Sequence, residues 1–142
     1  MTLRILLFFA LTVVAIGIAW YLQRRRPDPP SAPSYKAPVQ LDRDDFEHTE
    51  CDVLVVVFAS STCDTCPEVW SIVKEHASAE VAVQRVDVQD DASLHQRYKI
   101  DGVPTTIITD HDGVVVQAFF GFLRDVDVSE SILRARSDAI SD

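Results

Sequence analysis

Two cysteines three positions apart, in Cys63-Asp64-Thr65-Cys66, lie between a run that reads as a buried strand and a run that reads as a helix. The strand run, Val53 to Phe58 (VLVVVF), is apolar without alternation, as expected of a central strand covered on both faces. The helix run, Pro67 to Ala77 (PEVWSIVKEHA), has Pro67 in its first turn, where no intrahelical donor is lost. Thiols at such a junction share an exposed helix N-terminus, whose partial positive charge and free N–H groups favour a thiolate. The pair can close a short disulfide, or it can build half of a zinc site. Zinc needs two more ligands, and the chain has no second CxxC and no His pair. His48, His76, His95 and His111 are scattered over helix ends and a turn and are expected at the surface.

Around this unit the chain alternates between elements. Val39-Gln40-Leu41 fits a short edge strand, and Asp42 fits the cap of a helix through about His48 with Phe46 facing inward. The helix after Cys63 is expected to bury Val69, Trp70 and Val73. Val81 to Val88 alternates as a strand, and Ala92 to Tyr98 fits a short helix. Thr105 to Thr109 reads as a strand, Asp110-His111-Asp112-Gly113 as a hairpin turn, and Val114 to Phe120 as its partner. A final helix starts at Asp127 or Ser129 and runs to about Ile140, with Val128, Ile132, Leu133 and Ala135 or Arg136 along its buried edge. From Val53 on the order is βαβαββα, which with the additional first strand predicts an α/β domain over residues 39–142, with a mixed central sheet flanked by helices, parallel first and antiparallel later. Cys51, before the central strand, reads as a passive thiol.

A second segment narrows the reading. Tyr98 to Thr106 runs YKIDGVPTT and leads into Ile107-Ile108-Thr109. Together with FASSTCDTCPEVW it resembles the thioredoxin family, from about Val39 to the C-terminus. The resemblance implies the thioredoxin fold and a thiol–disulfide oxidoreductase whose redox centre is a Cys63–Cys66 disulfide, with no other cofactor and no metal. It makes Cys63 the nucleophile and Cys66 the resolving thiol, acting on protein disulfide substrates and reset by an upstream dithiol electron donor. The residues agree, since the first Cys at a helix start is the more exposed and the second lies a turn deeper. The family pattern also implies a cis bond at Val103–Pro104, a bond that only X-Pro adopts at low cost. A client strand would add along Val103, Pro104 and Thr105 by backbone hydrogen bonds. Gly121 matches a family glycine on the rim of the site, and equally fits a bulge glycine.

The chain departs from the family pattern at several positions. Thr62 stands where the family has Trp, and Asp64-Thr65 where it has Gly-Pro. The family's buried acid, which helps deprotonate the second thiol, is replaced by Val57, and its lysine near that acid by Arg85. Asp64 and Glu68 are then the candidate proton acceptors. Both also put negative charge near Cys63, partly opposing the helix dipole. A less stabilised thiolate means a more reducing couple, which fits a reductase.

The first 38 residues differ from the rest. Ile5 to Leu22 is a run of 18 residues without a charge. As a helix it would span about 27 Å, close to the hydrocarbon thickness of a bilayer. Trp20 and Tyr21 close the run, and Arg24, Arg25 and Arg26 follow it. Residues 1–26 are therefore expected to form one N-terminal transmembrane helix with a basic flank, rather than a cleaved signal peptide. Residues 27–38 contain five prolines and form an extended linker of up to about 35 Å. The arginines after the span place the domain in the cytoplasm of a single-pass membrane protein, with the extracytoplasmic side as the alternative.

Residues 35–142 carry 21 acidic and 9 basic side chains. That excess excludes nucleic acid as a natural partner, because phosphate binding needs a basic face. The expected function is membrane-tethered reduction of protein disulfides. Two rivals are an extracytoplasmic reductase or isomerase for exported proteins or cytochrome maturation, and a non-catalytic thioredoxin-like module that docks partners or handles copper.

Overall fold

The run read as a central strand is one. Val53–Ala59 (β1) is buried along its whole length. The computed structural model describes Thr12, Val14, Ile16, Gly17 and residues 35–139. β1 pairs in parallel with β2 (Val81–Asp87), from Val53 opposite Val81 to Ala59 opposite Asp87. On its other side it pairs antiparallel with β3 (Thr105–Thr109), which pairs antiparallel with β4 (Val115–Phe120). The sheet order is β2-β1-β3-β4. Among the described residues of this unit the strands are interleaved with the α-helices α1 (Cys66–Val73), α2 (Ala92–Arg97) and α3 (Asp125–Ala139).

Alternation along β1 sorts the core into two layers. Val53, Val55, Val57 and Ala59 pack with Cys66, Val69 and Val73 of α1 and with Val128, Ile132 and Ala135 of α3. Leu54, Val56 and Phe58 pack on the other side with Leu41, Phe46, Val86, Tyr98 and Ile107. Each large apolar side chain withdrawn from water here contributes about 2 kcal/mol, so β1 with its two faces is the main source of cohesion.

Several elements differ from expectation, each for a local reason. Val39-Gln40-Leu41 forms an isolated bridge between Gln40 and Val114 instead of a strand. The helix expected from Asp42 to His48 is a single 3-10 turn, Arg43–Asp45, capped by the Asp42 carboxylate on the Asp44 N–H. It stops because Phe46 is extended and His48 takes a positive φ of 59°. α1 gives way to a 3-10 turn at Lys74–His76, and Trp70 is half-buried rather than buried. α3 starts earlier than Asp127. The Asp127 carboxylate accepts from the Arg124 backbone N–H at 3.1 Å and pairs with its guanidinium, so it closes the first turn from the inside. Leu133 on that helix is 65% exposed and not part of its buried edge. His95 is buried, not a surface residue: its ring meets Phe58 edge-on and Nε2 bonds the Val86 carbonyl at 3.1 Å.

The end of the sheet away from the cysteine pair is closed by Arg43. This buried guanidinium donates to the carbonyls of Asp110, His48 and Cys51. Cys51 is itself buried, and its thiol points to the Ala79 carbonyl at 3.6 Å. Gly113, at φ +83°, lets the β3–β4 turn bring its carbonyl to the Leu41 N–H at 2.8 Å.

The chain divides into two units, Met1–Ser34 and Tyr35–Asp142. In the first unit the described residues, Thr12, Val14, Ile16 and Gly17, are helical and exposed. The rest of the expected membrane span, Arg24 to Arg26, the linker up to Ser34 and the helix end at Ile140 lie outside the described residues. Among the described residues no helix is long and apolar enough to cross a membrane.

Candidate active site

The polypeptide leaves β1 at Ala59, turns through Ser60 to Thr65 and enters α1 at Cys66, so the cysteines end up a turn apart. Cys63 and Cys66 are joined by a disulfide, with their Cα atoms 5.5 Å apart. Cys66 is fully buried, whereas Cys63 is half-buried at the edge of the same apolar layer. The Cys66 backbone N–H, at the head of α1, donates to Cys63 Sγ at 3.2 Å. The Thr65 hydroxyl lies 3.7 Å from the same sulfur. The outer sulfur therefore has the helix N-terminus for a partner, and the inner sulfur has an apolar enclosure.

A polar network holds the loop that carries them. The Ser61 N–H is shared between the Asp87 carboxylate and the Gln89 side chain, at 3.2 and 3.0 Å. Gln89 also donates to the Ser60 hydroxyl, which meets the Thr62 hydroxyl at 3.0 Å. Arg85 pairs with Asp87 at 3.0 Å. Desolvation works against the Asp87 charge, but the Gln89 N–H and the Arg85 guanidinium outweigh it and hold the carboxyl below its ordinary range. The sequence reading did not single out Asp87 and Gln89. They join the loop only through the parallel pairing of β1 with β2.

The segment before β3 comes to the same end of the sheet. The Val103–Pro104 bond is cis, and Val103 borders the apolar layer that Cys63 also borders. The Pro104 carbonyl accepts from the Gly121 N–H at 2.8 Å, and the Thr105 hydroxyl donates to the Gly102 carbonyl at 2.7 Å. Thr105 is buried, so its side chain supports the loop from within. Gly121 has φ +87° and open space where a Cβ would lie. A cavity of about 150 Å³ is lined here by Val103, Pro104, Thr105, Gly121, Phe120 and Tyr35. Tyr35 was invisible as a site residue because it sits among the linker prolines. It stacks on Phe120 with ring centroids 5.4 Å apart. A Cβ on Gly102 would come within 2.6 Å of its ring, so glycine at 102 is what admits it.

Asp64 and Glu68 are exposed, and among the described residues their carboxylates have no hydrogen-bond or ion-pair partner. Val57, in place of the family acid, is fully buried. Arg85, in place of the family lysine, is the register neighbour of Val57 and is engaged by Asp87. Among the described residues no group of three His, Cys, Asp or Glu side chains could hold a metal ion.

The arrangement is a dithiol centre, with one sulfur at a helix head and one behind it, beside a proline loop. Comparison with known proteins fits this description. The Thioredoxin family model matches residues 38–133. Among solved structures the chain is similar to a mutant thioredoxin from Halobacterium salinarum NRC-1, at 25% identity and TM-score 0.52, covering 58% of this chain and 73% of that one. It is also similar to chloroplastic thioredoxin z, at 24% identity and TM-score 0.54, covering 61% and 80% of the two chains. A malarial protein shares the fold at 17% identity and TM-score 0.53, covering 59% and 97%. No curated protein matches the chain significantly.

Proposed function

The chain belongs to the thioredoxin family, and from that premise we propose that it reduces protein disulfides by dithiol exchange through Cys63 and Cys66, on a domain tethered to a membrane. The observation that carries the reading is the unequal setting of the two sulfurs: Cys63 is reachable and bonded by the Cys66 N–H, and Cys66 is fully buried behind it.

In the reduced protein the Cys63 thiolate attacks one sulfur of a client disulfide. The client S–S bond breaks, a Cys63–client mixed disulfide forms, and the second client sulfur leaves as a thiolate that takes a proton. Cys66 then loses its proton and attacks Cys63 Sγ. The Cys63–Cys66 bond forms and the client departs with both sulfurs reduced. An external dithiol returns the centre to its starting state. Val103, Pro104, Thr105 and Gly121 form the loop against which the client backbone lies.

Exposed Asp64 and Glu68 oppose the helix dipole at Cys63, and this favours the reducing direction. The tether rests on the uncharged run Ile5 to Leu22, and Arg24 to Arg26 after it favour a cytoplasmic domain. Insulin reduction with a dithiol donor tests the chemistry. Wild type is expected to be active, Cys63→Ser inactive, and Cys66→Ser arrested as mixed disulfides whose client peptides mass spectrometry identifies. An inactive wild type would instead favour a docking module. Protease accessibility on sealed membrane vesicles of known orientation tests the side on which the domain lies.

A further inference from the structure

A thiol that must ionise while fully buried among apolar groups has its charged form disfavoured, and Val57 offers it no charge or hydrogen bond. The layer around Cys66 nevertheless contains one polar group without a partner. Thr106 is fully buried, and its Oγ1 makes no hydrogen bond. Its position follows from register. Thr106 pairs with Val57 across β1 and β3, and with Phe119 across β3 and β4. Val57 belongs to the layer that contains Cys66, and Phe119 borders it. Ile108, two residues on, also belongs to that layer, whereas Ile107 belongs to the opposite one. Side chains alternate along a strand, so the Thr106 side chain, with its unpartnered hydroxyl, lies on the Cys66 side of the sheet.

An orphaned buried hydroxyl is costly. The cost falls on the disulfide state, because a disulfide sulfur is a poor acceptor. A thiolate is a strong one. We infer that Thr106 is the positioning residue for the resolving step: its hydroxyl donates to the Cys66 thiolate once the disulfide opens. This rests on the dithiol reading above. The hydroxyl keeps its own proton throughout. Cys66 gives up a proton to solvent, and its electron pair forms the bond to Cys63 Sγ. The Cys63–client bond breaks, and the departing client sulfur takes up a proton.

The charged groups around Cys66 are few. Its own loop and helix carry Asp64 and Glu68, both exposed, and β2 carries Arg85 and Asp87, paired with each other. β1 and β3 present Val57, Ala59 and Ile108. The core residues of α3 are Val128, Ile132 and Ala135, and its charged Asp125 and Asp127 are engaged by His76 and Arg124.

The test compares the detergent-solubilised full chain with Thr106→Val and Thr106→Ser. The Cys66 titration is read from its Cβ chemical shift in the reduced protein, and resolution of a preformed mixed disulfide is followed at several pH values. Thr106→Val is expected to lower the thiolate fraction of Cys66 at neutral pH by about tenfold, and to slow resolution by the same factor. Thr106→Ser is expected to restore both. Oxidised Thr106→Val should melt no lower than wild type, since no hydrogen bond is lost in that state. An unchanged Cys66 titration in a folded Thr106→Val variant overturns the inference. Wild type that forms no mixed disulfide overturns instead the dithiol reading beneath it.

Discussion

The backbone N–H of Cys66 donates to Cys63 Sγ at 3.2 Å, so the helix head that carries one sulfur of the pair also holds the other. In the reduced protein this contact favours the Cys63 thiolate, and burial keeps the other two thiols out of reach. With iodoacetamide at neutral pH, Cys63 should therefore react first. Cys66 and Cys51, both buried, should react at least about tenfold more slowly. Denaturant should abolish the difference. Peptide mapping of a time course checks this, and equal rates in the native protein would contradict it.

Asp64 and Glu68 flank the helix head with uncompensated charge. Asp64→Asn with Glu68→Gln should favour the Cys63 thiolate and make the couple more oxidising, by about 0.3–1 kcal/mol per charge at low salt. The shift should shrink at high ionic strength, because both groups are at the surface. Equilibration with a glutathione buffer measures it. A shift towards the reducing side would contradict the argument.

Tyr98 links α2 to the 3-10 turn. Its hydroxyl accepts from the Asp42 N–H at 3.0 Å and donates to the Asp45 carboxylate. Burial and then the Asp45 carboxylate push its pKa up to about 12. The folded protein thus holds this proton more tightly than the unfolded chain, whose tyrosine titrates at about 10. The linked stability is fully present below about pH 10 and is lost as pH rises towards 12. Tyr98→Phe should cost about 1–2 kcal/mol at neutral pH and remove this alkaline loss. Denaturant melts across the alkaline range show both effects.

Two glycines with positive φ should respond differently to alanine. A Cβ at Gly113 would lie 2.0 Å from the Leu41 carbonyl oxygen, whereas at Gly121 it would meet nothing within 4 Å. Gly121→Ala carries only the backbone cost, about 1–2 kcal/mol. Gly113→Ala must also push back a main-chain segment, and should cost about 3 kcal/mol or more. Urea midpoints rank the two, and the reverse order would refute the account.

The legible part of this fold was the part set by local pattern. Val53 to Phe58 announces a strand buried on both faces because it lacks alternation, and CxxC followed by Pro67 announces a helix head. What escaped depends on distant partners. His95 looks like a surface residue until Phe58 and the Val86 carbonyl are placed beside it. α3 starts before Asp127 because that carboxylate works from inside the first turn, a choice that sequence leaves open between two capping positions. The supports of the reactive loop, Asp87 and Gln89, arrive from the end of another strand. Thr106 is an ordinary strand residue until register sets it opposite Val57.

Gly102 and Tyr35, far apart in the chain, compete for one volume: a methyl group at 102 would overlap the tyrosine ring. The two positions are therefore not free to drift separately over descent. A lineage that acquires a larger residue at 102 must move the ring at 35 aside or shed it, and either change disturbs the aromatic wall that leans on Phe120. Relatives sorted by the residue at one of these sites should be found already sorted by the other.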